Sequence, residues 1–337
     1  MAIQVQIDDR TRIVSSVMLL TDFVQENEEC GKPHPLRTRT IECLAGSVDH
    51  PCAVAARKLA TKHWMHVFHS YATLLPERAW TDCIVNGVRP EEHPLMGEPF
   101  NDFDDADFGS LLYQFYVDTE IQTLWDDTQA DWETAREDCA DIVRTSRLDE
   151  FIDLLFGKSD YRLALIPNPL DPPTFGFAPN DGHTSYAILG APITSDDRNP
   201  SGRYVCDKKM TADIAFHEFA HTLWSASRKA YPAIPDETAV LQDTMEYRGY
   251  FPKSYDTWDI QLDEIVIRAA TAQYIAHRDG DLKAQAFLDR EKSWYGINLI
   301  DTVFLSLGRY LEARKRGEYN SLSEFVPVLS EMMRTEC

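Results

Sequence analysis

Long apolar runs are missing from this chain. Stretches such as VMLL (17–20) and ALI (164–166) fall far short of the roughly 20 apolar residues that a membrane-spanning helix requires. No transmembrane helix is expected. Cysteine pairing is missing too: Cys30, Cys43, Cys52, Cys83, Cys139, Cys206 and Cys337 are odd in number and show neither a CxxC pair nor a regular spacing. That pattern argues against a disulfide framework and against a thiolate zinc site, and for free thiols. Positive charge is scarce. Against 55 Asp and Glu stand 33 Lys and Arg, a formal charge of -22, so the field of the molecule repels nucleic acid and anionic membrane surfaces. Neither is expected as a partner. The opening MAIQVQIDDRTR lacks the basic start, apolar run and small-residue cleavage site of a secretory signal, and the expected location is the cytoplasm. Asp outnumbers Glu and Arg outnumbers Lys, a hint of a halophilic or GC-rich source that fits an ordinary acidic protein equally well.

What is present is ample apolar material. In 337 residues, 44% hydrophobic and 11% aromatic composition supports one large domain or two lobes around a packed core and excludes intrinsic disorder. A short strand is predicted over 3–7, then helical spacing over 13–24 and from Ala53 to Leu75, the latter entered at Pro51 and ended at Pro76. Residues 108–157 read as two or three amphipathic helices. Prolines then cluster from Pro167 to Pro179 around the β-prone runs RLALIP and TSYAILGAPI, which predict a small sheet. Helical periodicity returns over 211–228, 236–247, 259–278, 281–291, 296–315 and 321–334, with Asp236 and Ser321 as N-cap candidates. The fold class is therefore α+β, mainly helical, with a helical N-terminal lobe over 1–150 and a second lobe over 151–337 in one integrated unit.

The segment TADIAFHEFAHTLW (211–224) places His217 and His221 four residues apart on a predicted helix, so both imidazoles project from one face. That separation suits two ligands of one tetrahedral zinc ion. Glu218 follows the first histidine and faces the open side of the metal, where a bound water would sit. Zinc lowers the pKa of such a water from about 16 to roughly 7, and the carboxylate takes its proton as it attacks a carbonyl. Ile214, Phe216, Phe219, Ala220, Leu223 and Trp224 bury the rest of this helix and hold the ligands rigidly. By the His and Glu usage of this chain, an HExxH string arises by accident only about 2% of the time.

A catalytic zinc site needs a third protein ligand. The extended HExxHxxGxxH pattern is excluded, because Trp224 and Ser227 stand at its glycine and histidine positions. A carboxylate from a following helix remains, and WDIQLDEIVIRAATAQYIA offers Asp259, Asp263 and Glu264. Leu262, Ile265, Ala269, Ala272 and Tyr274 make that helix largely buried, with Glu264 next to the buried face. An acid there is costly unless it is paired or binds a metal, so Glu264 is the third ligand and Asp263 the reserve choice. Arg268, one turn on, is placed to pair with Glu264 or with substrate. Asp213 is the nearest residue in sequence to orient a ligand imidazole.

HEFAH at 217–221 and DEIVIRAA at 263–270 resemble the gluzincin zinc metallopeptidases, in which an HExxH helix is followed by a glutamate ligand on a second helix. Over nearly its full length the chain is similar to an uncharacterised prokaryotic family of gluzincin-like proteins, through DDRTRIVSSVMLLTDF, VDHPCAVAARKLA around His50, the HEFAH helix, the E-x-x-x-R-A from Glu264 to Ala269, and the tail YGINLIDTVFLSLGRYLEARKRGEYNSLSEFVPVLSEM. The resemblance implies a zincin-like fold, zinc as cofactor, a peptide or protein substrate, His217, His221 and Glu264 as ligands, and Glu218 as base. It also marks a departure. Many gluzincins carry an aspartate four residues after the ligand glutamate to hold a histidine, and here that position is Arg268.

Other residues carry weaker signals. The spacing of His63, His66 and His69 spreads them around a helix, which favours packing over metal binding, and His50 before Pro51 reads as a helix-entry residue. HTSYAILG, with His183, Tyr186 and Gly190, is either a core strand or the strand that pairs with extended substrate backbone in zincins. Tyr247, Tyr250, Tyr255, Arg268 and His183 are candidate donors to a developing oxyanion. Besides a metallopeptidase, the sequence admits a zinc hydrolase of a non-peptide amide or a non-catalytic zincin-scaffold binding protein. Glu218 speaks against the last, since a structural site needs ligands but no base.

Overall fold

Histidine and proline set where two of the first helices begin. His34 and His50 each precede a proline at the first helical position, and each ring accepts a backbone amide, from Leu36 and Cys52 respectively. This cap satisfies one of the otherwise orphaned amides of a helix start, and it makes His50 the helix-entry residue its position implied. Asp8 caps Asp9–Met18 in the same way, and Thr257 caps Trp258–Asp279. The computed structural model describes residues 2–21, 34–75, 100–173, 175–191, 204 and 207–336. The predicted continuation of the first helix over 22–24, Pro76, and Cys30, Cys83, Cys206 and Cys337 lie outside the described residues. Cys43, Cys52 and Cys139 are free thiols, and burial pushes those of Cys52 and Cys139 up in pKa.

The protein is mainly helical with one small sheet. It divides into two compact units, each made of separated segments. One is built mainly from 144–160 and 216–337, the other from 3–143 and 161–215. Residue 150, where the sequence pattern divides the chain, falls inside the shorter segment of the first.

The second-named unit holds the sheet: β1 (Ile3–Val5), β2 (Arg162–Pro167), β3 (Gly176–Phe177) and β4 (Thr184–Leu189), in the order β1-β2-β4-β3. β1, β2 and β4 run parallel and β3 antiparallel, with Leu165 of β2 opposite both Val5 and Ala187. β4 is buried at every residue and flanked on both sides. This overturns the reading of HTSYAILG as a strand open to a peptide backbone, because an added strand needs a free edge. Against the sheet lies a core containing Phe68, Tyr71, Phe103, Phe108, Trp125 and Trp132. Arg12 is buried there with its guanidinium over the rings of Trp125 and Trp132.

The other unit is helical. Trp258–Asp279 packs on Asp281–Tyr295 and on Ile300–Lys315, which in turn packs on Leu322–Glu336. Phe216 stacks on Tyr274 with ring centres 4.9 Å apart, and both touch Phe151. These rings join the helix Lys208–Arg228, which carries HEFAH, to the helix that carries Glu264. Among the described residues no helix is long and apolar enough to cross a membrane.

Three element predictions are corrected. The single helix read over 53–75 is two, Pro51–Ala60 and Met65–Leu74, separated by a turn at which His63 bonds Asp102. The segment 108–157 forms four helices. Asp236 is not an N-cap, because Pro235 already sits in the first turn of Ile234–Thr238.

Candidate metal centre

Burial of one face of each of two packed helices leaves three ligating groups pointing at one another. His217 and His221 lie one turn apart on Lys208–Arg228, and their Nε2 atoms are 3.2 Å apart. From Trp258–Asp279, Glu264 brings Oε1 to 3.6 Å from His217 Nε2 and Oε2 to 3.7 Å from His221 Nε2. Ligand atoms bound at about 2.0 Å to a tetrahedral ion stand about 3.3 Å apart, so the three separations fit one zinc-sized cation. Among the described residues, no other group of three His, Cys, Asp or Glu side chains has this spacing.

The charges suit a cation as well. Burial holds His217 and His221 below the usual histidine pKa, against the pull of Glu264, so both rings stay neutral and keep lone pairs to donate. Two such lone pairs facing at 3.2 Å are an arrangement that a cation, or a proton on one ring, must resolve. Burial works most strongly on Glu264, which is 1% exposed, and would raise it, but the Arg268 guanidinium and the facing imidazoles of His217 and His221 together prevail and hold the carboxyl down at about 2. The site therefore presents two neutral nitrogens and one carboxylate, the donor set of a catalytic zinc. It is open on one side, where the His217 and His221 side chains are 20% and 33% exposed.

Asp263, the reserve choice, points elsewhere. It accepts from the Trp224 indole at 2.6 Å and lies 3.1 Å from Arg228, which also bonds Asp259. Arg268 forms the i,i+4 pair with Glu264, its Nε donating to Oε1 at 2.7 Å, while its other arm bonds Glu291. Glu291 is buried and also receives Arg290. Sequence reasoning missed Glu291, although a glutamate inside a helix that ends in the aromatic pair Trp294 and Tyr295 is a signal of the same kind that singled out Glu264.

Comparison with protein-family models, with curated proteins and with solved structures finds no match.

Among the remaining candidates, His69 is fully buried and bonds Asp171, and His63 bonds Asp102, as packed histidines do. Of the tyrosines, Tyr255 packs on the Phe251 ring, Tyr247 bonds Gln261, and the Tyr250 hydroxyl donates to Tyr295 at 3.0 Å. His183 belongs to the other compact unit.

Glu218 is 8% exposed, and burial, reinforced by the Glu264 charge, pushes its carboxyl up to about 8. A carboxyl raised in the folded state stays protonated where the unfolded chain has released its proton, so it lowers stability as pH rises from about 4.5 toward 8. In metal-free protein, Glu218→Gln is therefore expected to be more stable than wild type at pH 7 by roughly 3 kcal/mol, and equal to it below about pH 4. Urea unfolding of chelator-treated protein at both pH values measures this; a pH-independent difference would remove the assignment of a raised carboxyl.

Proposed function

We propose that this protein is a zinc-dependent metallopeptidase with a zincin-like arrangement of ligand helices. The observation that carries the reading is the convergence of His217, His221 and Glu264 within 3.7 Å on a solvent-open site, with Glu218, the residue after His217, buried. Zinc held there supplies a polarising charge for a carbonyl and makes water acidic enough to attack it.

The chain's own groups do the rest. His217, His221 and Glu264 fix the position of the ion and leave one side free for substrate. Glu218 takes the proton of the attacking water and passes it to the leaving amine, a role that asks for a pKa near the working pH. Its burial raises that pKa, and a cation held by the three ligands would favour its ionised form. Arg268 keeps Glu264 ionised and aimed at the two imidazoles.

The test is metal analysis joined to a peptide-library cleavage assay. Protein purified without chelator and supplied with zinc should hold about one ion per chain and cleave members of the library. A chelator should abolish cleavage, and zinc should restore it. Absence of bound metal would end the reading at once; stoichiometric zinc without cleavage would reduce it to a metal-binding protein.

A further inference from the structure

The loop preceding the Glu264 helix is fastened to the end of Asp281–Tyr295. The amides of Glu246 and Arg248 donate to the carbonyls of Gly296 and Tyr295 at 3.2 and 3.0 Å. Gly296 has a φ of 69°, and a Cβ there would stand 1.7 Å from the Glu246 carbonyl oxygen, so only glycine permits the approach.

This fastening gathers a cluster of rings. Phe251 lies 4.7 Å from Tyr255 and 6.0 Å from Tyr295, while Tyr250 meets Tyr295 edge-on at 5.0 Å, their hydroxyls bonded. At its inner end the cluster reaches the metal centre: the Arg268 guanidinium that grips Glu264 lies 4.7 Å from the centre of the Tyr295 ring. At its outer end it is open to solvent. Tyr250 is 48% exposed and Trp294 57%, the latter 6.3 Å from Tyr295.

Two large exposed rings, Trp294 with the Arg290 guanidinium 5.3 Å from its centre, stand next to a half-buried cluster and offer apolar surface to a ligand. Through Tyr295 and Arg268 these rings are continuous with Glu264, the ligand that its helix contributes to the metal centre. We propose that Tyr250, Tyr295 and Trp294 form a substrate subsite that takes an aromatic or large apolar side chain of a peptide whose reacting carbonyl lies at the metal centre. This rests on the metallopeptidase reading and names the side chain that such an enzyme prefers.

The experiment needs no turnover. Two peptide hydroxamates, identical except for one phenylalanine replaced by glycine, are titrated calorimetrically into zinc-loaded protein and into the Tyr250→Ala/Trp294→Ala variant. The ratio of their dissociation constants is the readout, since it cancels any general weakening of the variant. In wild type the phenylalanine probe should bind at least about 10-fold more tightly, and in the variant that advantage should shrink to about 3-fold or less. Trp294→Phe, which keeps a ring, should retain most of it. A wild-type ratio near one, or a ratio unchanged in the double variant, overturns the subsite. Failure of both probes to bind removes it together with the metal reading. Ring-selective binding without peptide cleavage supports the subsite and sinks hydrolysis alone.

Discussion

Glu218→Gln is expected to keep its zinc and lose turnover by about 10²- to 10⁴-fold, the usual worth of a positioned general base. The substitution preserves shape and hydrogen bonding and removes only the capacity to take a proton. Glu218 follows His217 in sequence, but the three groups that converge on one another are His217, His221 and Glu264. Metal content should therefore stay at about one per chain while the rate falls. A variant that retains zinc and cleaves peptides at the wild-type rate would eliminate the mechanism even with every ligand correct. One that loses its metal would move Glu218 among the ligands.

Glu264→Ala should cost the protein its zinc, and Asp263→Ala should not. The two carboxylates are adjacent in sequence yet serve different neighbours: Glu264 stands 3.6 and 3.7 Å from the two imidazoles, and Asp263 bonds Trp224 and pairs with Arg228. Losing a partner that merely holds a ligand typically weakens metal binding about 10- to 100-fold, and losing the ligand itself should exceed that. Competition with a chelating dye measures both affinities. Because Ala at 264 leaves Arg268 with Glu291 as its remaining ion-pair partner, Glu264→Gln serves as the milder companion, expected to fold normally and still bind zinc poorly. Equal retention of metal by the 263 and 264 variants would transfer the third ligand elsewhere.

Much of the site was legible because its signals are local. HEFAH needs only the i,i+4 rise of a helix to bring two imidazoles to one face, and Glu264 betrayed itself as an acid among apolar neighbours. Choosing it over Asp263 rested on periodicity, and the deciding contact, the Trp224 indole on Asp263, joins residues 39 apart in sequence. The ring cluster was illegible for the same reason: Tyr247, Tyr250 and Tyr255 were noticed as donors, but nothing local pairs them with Tyr295. In the fold, the run TSYAIL predicts a strand but not its neighbours, and it is the pairing of β4 with both β2 and β3 that leaves no edge for a substrate backbone. The break between Ala60 and Met65 has no glycine or proline to announce it. Tertiary contact, including that of His63 with Asp102, decides it.

The grip of Arg268 on Glu264 has a kinetic consequence. An arginine, and not the ion, restrains the third ligand, and the Phe216–Tyr274 stack ties the two helices that carry all three. Gathering the ligands is thus completed when the chain folds. On the zinc reading, removing the ion would leave a folded acceptor, unlike small zinc domains in which metal binding and folding are one event. An emptied site would then be refilled without refolding, and the activity of such a zinc enzyme would follow free zinc more closely than it follows synthesis.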